Sequence, residues 1–502
     1  MNHITSLAAA KAALQSAWAS VSRQFPLVLL TVLLVALALP AGMVVAPAFT
    51  GQGLHPQQPA PSVPPWQQSP HDLSLPKAAP LSNIASLSDS APVPLPDALS
   101  ARLNAALKPD GAGTFSGLVQ DAVTGQVLFD RAGADARVPA SNLKLLTATA
   151  ALRSLGPDHR FSTKVLAGPT PGSVVLSAGG DVLLTAGESS DDAVLGHAGL
   201  ATLARLTVKA LQARGASGSV SVLLDDTLFT GSPLNPAWNP EDVAAGEVAP
   251  VFPIALNSAR VDPATTTGPR PQDGAMTAAE AFAAQLSGAG AAAGLSVNPG
   301  VARVTPAAQG GQGTVLAEVT SATVQQQVDL MLQTSDNYLA EVMGRMSAIA
   351  AGGPGSNDGA TANVVRQVSE LGITTAGLRL ADVSGLALAD RVSARQLTQV
   401  VHAITSGTDP RLRAALDGFP VAGLTGTLSG RYADDSTAGG AGLVRAKTGT
   451  LNTVIALSGY VVDADGRLLV FSFIGNDLTP GAAGNTTALD RSASVLASCG
   501  CR

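Results

Sequence analysis

Only two cysteines occur in 502 residues, Cys499 and Cys501, at the extreme C-terminus. The body of the chain therefore holds no cysteine nucleophile, and two cysteines cannot form a structural zinc site by themselves. The single intervening Gly500 permits a mutual disulfide in an oxidising exterior, pairing with another molecule, or no role beyond that of a tail. Histidine is also scarce. The six that occur form no H-x-x-x-H or comparable ligand cluster, so nothing demands a metal, and no cofactor is expected. No block of Lys and Arg stands out, and 30 basic against 36 acidic residues leave a formal charge of -6, which argues against nucleic acid as a partner. Aromatic residues make up 3%, so a core must rely on Ala, Leu and Val. With 46% apolar residues the chain is too hydrophobic to be disordered throughout, and its length allows two or three domains.

The first 48 residues contain no Asp or Glu, and the polar segment 1–24 carries Lys11 and Arg23. Residues 25–49 have no charge at all and are long enough to cross a bilayer. The flanking positives favour a cytoplasmic N-terminus. A retained anchor and a cleaved signal both fit, the latter because Ala46-Pro47-Ala48 has the small-x-small form of a cleavage site; a buried helix is the third reading. Either of the first two places the rest of the chain outside the cytoplasmic membrane. Residues 50–95 then read as an extended tether, with eleven prolines from Pro56 to Pro96.

Beyond the tether, patterning alternates between helix and strand. Pro96 opens a helix to about Leu107, and Gly117–Gln120 with Gln126–Phe129 form a hairpin. A buried helix follows over Asn142–Leu152. Phe161–Leu166, Val174–Ala178 and Val220–Leu224 are strand-like, whereas Val194–Gln212 and Ala278–Leu286 are helical. Gly313–Thr323 contains a strand, and helices return over Val324–Leu332 and Asn337–Ala350. Strands at Gly442–Lys447, Thr453–Val462 and Leu468–Ile474 precede a last helix, Thr487–Ala497. Strands between an early and a late helix indicate an α+β fold, an antiparallel sheet with helices packed on it.

Three short segments carry the chemistry: Ser141-Asn142-Leu143-Lys144, Ser335-Asp336-Asn337 and Lys447-Thr448-Gly449-Thr450. Each alone has a bland reading: a surface serine with a lysine, a helix cap, and a hairpin strand with an exposed lysine. Together they describe a serine acyl-transfer site with lysine as base. A serine hydroxyl needs a base within hydrogen-bond reach, and residues three apart on a helix share a face. The Ser141 N–H at the helix start is a candidate oxyanion donor, and the Thr450 N–H a second. Ser335 can relay a proton between Lys144 and a leaving amine. Asn337 can hold Lys144 and donate to a substrate carbonyl, while Asp336 points elsewhere. Lys447 and Gly449 face one way on a strand and Thr448 the other. Gly449 clears room for a substrate, and Lys447, Thr448 and Thr450 suit a terminal carboxylate.

This set resembles the penicillin-recognising serine enzymes. The chain is most similar to the D-Ala-D-Ala carboxypeptidase/endopeptidase family of class C, low-molecular-mass penicillin-binding proteins (peptidase family S13), over about residues 95–498. Further segments that resemble the family are Gly179-Gly180-Asp181, Asp225-Asp226-Thr227-Leu228-Phe229, Asp382-Val383-Ser384-Gly385-Leu386 and the run from Gly423 to Leu428. The resemblance implies a penicillin-binding-protein/serine β-lactamase-like fold. The 194 residues from Ser141 to Ser335 resemble the family's nested inserted domains. Catalytic parts would be 96–165 and 325–498, with the insertion at 166–324 and a cysteine-containing tail at 499–502. It also implies a Ser141 acyl-enzyme acting on peptidoglycan stem peptides and acylated by β-lactams. A serine β-lactamase and a non-catalytic peptidoglycan-binding surface protein are the alternatives.

Overall fold

The computed structural model describes residues 87–304 and 313–501. The apolar segment 25–49 and the first part of the proline-rich stretch lie outside them. Among the described residues no helix is long and apolar enough to cross a membrane.

Helix α1 (Pro96–Ala106) begins on a proline, where a missing N–H breaks no helical bond. Strands β1 (Ala112–Asp121) and β2 (Val127–Arg131) make the expected hairpin, and Asp121 Oδ1 accepts from the Val123 and Thr124 N–H groups of its turn at 2.8 Å. The short β3 (Ala136–Arg137) leads into a 3-10 turn, Ala140–Leu143, and then α2 (Lys144–Leu155). The helix expected from Asn142 therefore starts as a tighter turn.

Next come β4 (Arg160–Ala167), β5 (Ser173–Ser177), α3 (Leu200–Ala213), β6 (Gly218–Asp225), α4 (Gly274–Gly290), β7 (Leu295–Arg303) and β8 (Val315–Thr323). They form a mixed sheet in the order β7-β6-β5-β4-β8. Its parallel pairs, β5 with β6 and β6 with β7, are bridged by α3 and α4, as parallel strands require a crossover. Both helices pack on one face, where Leu203, Phe282 and Leu286 meet Val174, Leu176 and Val222.

Helices α5 (Val324–Thr334), α6 (Asn337–Ala350) and α7 (Asn357–Glu370) follow, then β9 (Val392–Ser393), which pairs with β3, and α8 (Ala394–Ser406). Thr323 with Gln326 and Ser393 with Gln396 form capping boxes that fix the starts of α5 and α8. Strands β10 (Arg445–Leu451), β11 (Val454–Val462) and β12 (Leu468–Thr479), with α9 (Thr486–Ala497), complete the described chain. The main sheet runs β10-β11-β12-β1-β2 with every pair antiparallel, although its members come from opposite ends of the sequence.

Alternation along β12 separates two cores. Leu469, Phe471 and Phe473 join Leu99 and Leu103 of α1 and Leu489 and Leu496 of α9. Val470 and Ile474 join the large cluster built from α2, α5, α6, α7 and α8. Cys499 and Cys501 are joined by a disulfide.

Candidate active site

Lys144 opens α2 and is fully buried. Its Nζ donates to Ser141 Oγ at 3.0 Å, Asn337 Oδ1 at 2.6 Å and the Ser384 carbonyl at 2.8 Å, which occupies all three hydrogens of an ammonium. Burial holds the amine below the usual lysine range, at about 8, against the opposing pull of Asp382, Asp336, Glu341 and Glu247. A neutral amine has one lone pair to fill. The Asn337 and Ser384 oxygens only accept, so the Ser141 hydroxyl is the partner that can reverse and donate.

The Ser335-Asp336-Asn337 segment is the hinge between α5 and α6. Ser335 adopts the left-handed region (φ 59°, ψ 34°), which stops α5 and turns the chain so that α6 begins at Asn337. Asp336 caps α6 through the Leu339 N–H at 3.0 Å and pairs with Arg260 at 2.7 Å. Burial opposes its ionisation, but Arg260 and Arg270 prevail and bring its carboxyl down to about 2. Asn337 Nδ2 donates to the Glu247 carbonyl at 3.1 Å, leaving Oδ1 for Lys144.

On β10, Lys447 lies opposite Ser458 and Gly449 opposite Ala456, on the α2 side of the sheet, while Thr448 lies opposite Leu457. Lys447 is fully buried and donates to Ser335 Oγ at 3.0 Å and to the Thr448 carbonyl at 2.8 Å. Burial, with the charge of Lys144 nearby, holds its amine well below the usual lysine range. Thr448 Oγ1 is 2.6 Å from Thr427 Oγ1. A Cβ on Gly449 would stand 2.9 Å from Asn142 Nδ2 and 3.0 Å from both Ala140 Cβ and the Pro139 carbonyl. Glycine thus lets the strand lie directly against the Ser141 turn.

Ser141, Ser335, Asn337, Thr448, Gly449 and Thr450 line one cavity of about 840 Å³. Lys144 and Lys447 reach Ser141 and Ser335 from the buried side. All eight residues singled out in the sequence therefore belong to one constellation. The hydrogen bond of Ser335 Oγ runs to Lys447, whereas a link to Lys144 was expected.

Several contributors were not among the candidate site residues. The Ser384 carbonyl is a backbone group presented by a loop that folds around Asp382. That carboxylate accepts from the Gly385 N–H at 2.7 Å, the Ala387 N–H at 2.8 Å and Trp238 Nε1 at 2.9 Å. Gly385 has φ 81°, and a Cβ there would lie 2.0 Å from the Ala140 carbonyl, so the loop also abuts the Ser141 turn. Glu247, Arg260 and Arg270, from the segment before α4, form the facing wall of the cavity. Of these, the Asp382–Leu386 run had been singled out, by resemblance. Among the described residues no group of three or more His, Cys, Asp or Glu side chains is arranged to hold a metal.

The family described as D-Ala-D-Ala carboxypeptidase 3 (S13) matches residues 99–277 and 264–496. The carboxypeptidase DacB of Mycolicibacterium smegmatis is 38% identical over 415 residues, covering 82% of this chain and 86% of that protein. A D-alanyl-D-alanine carboxypeptidase of an Actinomadura species is 30% identical, covering 72% and 78%. Among solved structures, penicillin binding protein 4 (dacB) of Haemophilus influenzae superposes with a TM-score of 0.62 over 78% of this chain and 97% of that one, at 21% identity, and so shares the fold. Fold, motif segments and sequence relatives agree, and the chain belongs to the D-Ala-D-Ala carboxypeptidase 3 (S13) family.

Proposed function

We propose that the protein is a serine D-alanyl-D-alanine carboxypeptidase that hydrolyses peptidoglycan stem peptides through an acyl-enzyme on Ser141. The observation that carries this reading is the single hydrogen-bonded set from Ser141 through Lys144 to Asn337, with Lys447 on Ser335 beside it. Ser141 Oγ attacks the peptide carbonyl preceding the terminal D-alanine, and its proton passes to neutral Lys144. The Ser141 and Thr450 N–H groups receive the oxyanion. Collapse breaks the C–N bond, and the amine leaves with the proton that Lys144 took, delivered through Ser335, which returns Lys144 to its neutral form. Water then hydrolyses the ester, with Lys144 as base, and restores Ser141.

Lys447, Thr448 and Thr450 receive the D-alanine carboxylate. An anion there gives the buried Lys447 amine a countercharge and favours its protonated form. A cross-linked substrate would present the carboxylate of a partner stem peptide at the same place, making the reaction an endopeptidase cleavage.

β-Lactams fit as covalent inhibitors, since they offer an acylating carbonyl and a carboxylate to the same groups; the Haemophilus influenzae protein has been crystallised with one. The N-terminal segment 25–49 would hold the enzyme at the outer face of the cytoplasmic membrane, or be removed on export.

Fluorescent penicillin offered to the full chain tests the reading, with Ser141→Ala as control. Stable labelling of the wild type alone supports it, and its absence overturns it. Rapid release of hydrolysed β-lactam would favour a β-lactamase instead. The masses of products from defined muropeptides separate carboxypeptidase from endopeptidase action.

A further inference from the structure

The segment between β6 and α4 grips the Ser335–Asn337 hinge at three consecutive residues. Asp336 Oδ2 accepts from Arg260 Nη2 at 2.7 Å, Asn337 Nδ2 donates to the Glu247 carbonyl at 3.1 Å, and Tyr338 Oη accepts from the Phe252 N–H at 3.0 Å. The Arg260 and Asp336 side chains are only 8% and 2% exposed. Direct contact with the amine belongs to Asn337, but the partner of its Nδ2 lies on this segment. Because the Glu247 carbonyl can only accept, it dictates which end of the amide meets Lys144.

The gripping segment is itself held in an unfavourable conformation. Asn257, Ser258 and Ala259 have φ of 52°, 56° and 55°, three successive non-glycine residues in left-handed backbone. Such a turn persists only when its surroundings over-determine it. Those surroundings include the Leu184 and Val182 carbonyls, which accept from the Asn257 and Ser258 N–H groups at 3.0 and 2.7 Å, and two arginines. Arg260 Nε donates to the Thr266 carbonyl at 3.2 Å, and Arg270 donates to the Gly246 carbonyl at 2.6 Å and to the Ser258 carbonyl. Arg260 joins this strained loop to the hinge through its ion pair with Asp336, a carboxylate on which Ser258 and Arg270 also act.

We propose that Arg260 is a positioning residue: by clamping Asp336 it holds the Ser335–Asn337 turn, and with it the Asn337 amide, in register with Lys144. The segment before α4 then sets the rate of acylation as well as forming a wall of the cavity. This rests on Ser141 being the acylated nucleophile. A displacement of about 1 Å in such a group slows a reaction on the order of 100-fold, with little effect on the binding that precedes it.

The test is acylation of the full-length chain by fluorescent penicillin over a range of concentrations at pH 9, above the Lys144 titration. It yields a non-covalent binding constant, an acylation rate constant and a final labelled fraction. Arg260→Met is expected to lower the rate constant roughly 10- to 100-fold, with the binding constant and labelled fraction within about twofold of wild type. Arg260→Lys, which keeps a charge for Asp336, is expected to recover most of the rate. A wild-type rate in Arg260→Met overturns the inference, and so does a loss confined to the labelled fraction, which would make Arg260 merely a support for folding. Should Arg260→Met fail to fold, Arg260→Met with Asp336→Asn removes both charges of the buried pair. Slow, complete labelling of that variant supports the inference, and a wild-type rate overturns it. Absence of labelling in the wild type itself would instead remove the acyl-enzyme reading.

Discussion

Lys447 Nζ donates to Ser335 Oγ at 3.0 Å, joining strand β10 to the α5–α6 hinge across 112 positions of sequence. Lys144 is bonded on the other side of the same hinge, through Asn337. Two lysines with lowered proton affinity thus flank one turn, and each affects a different part of the reaction.

Lys447→Met leaves Ser335 without this donor and removes the buried amine beside Thr448. The expected loss is about 100-fold in kcat/KM, the size of a hydrogen bond to a charged group. A substrate whose C-terminal carboxylate is amidated should lose much less.

The depressed Lys144 amine predicts the sign of the pH dependence. A base must be neutral, so acylation should rise with pH and level off above about 8, where Lys144 titrates. Two units below that midpoint the rate should be roughly 100-fold lower. A stopped-flow profile of penicillin acylation checks this, and a flat profile from pH 5 to 10 would remove Lys144 as base.

Gly449→Ala places a methyl group against Asn142, Ala140 and the Pro139 carbonyl at 2.9–3.0 Å. Since that wall is buried backbone and helix start, β10 must move. The expected destabilisation is about 1–3 kcal/mol, with acylation slowed more than tenfold. Denaturant unfolding beside penicillin labelling separates the two effects.

Asp121 and Arg467 form a buried bidentate pair at 2.5 and 2.9 Å, and the Asp121 side chain is wholly inaccessible. It joins the ends of β1 and β12 away from the cavity. Burial pushes the carboxyl up, but Arg467 and the turn N–H groups outweigh it, leaving it below its ordinary value. A depressed carboxyl stabilises the fold above its unfolded pKa, and that contribution is lost as pH falls through the lower folded value. Asp121→Asn should therefore cost about 3 kcal/mol at neutral pH, less in acid, while folded protein still acylates at the wild-type rate. Urea titrations at pH 7 and pH 3 measure the difference.

Much of the local structure was legible. Helix α6 spans Asn337–Ala350 as its apolar spacing indicated, because Leu339, Val342, Met343 and Met346 fall on a buried face. Helix α3 starts at Leu200, six residues after the expected Val194, since Gly196 (φ 83°) and the extended Gly199 keep the chain irregular until then. Helix α7 was missed: it opens Asn357-Asp358-Gly359 and buries only small or β-branched apolar residues, Ala360, Val364 and Val368. Strand β7 was missed because Asn298-Pro299-Gly300 reads as a turn. On a sheet edge those residues are tolerated with a shift in register.

The sequence alone determined the chemical inventory and its short-range geometry. A serine and a lysine three apart near a helix start share a face wherever that helix packs, because 3.6 residues complete each turn. Tertiary structure decided what the inventory became. Lys144 is brought to Asn337 across 193 positions and to the Ser384 carbonyl across 240, and burial beneath the cavity lowers its proton affinity. Desolvation depends on everything packed around a group, and the Glu247, Arg260 and Ser384 contacts join segments far apart in the chain. Neither has a signature in any short stretch of chain.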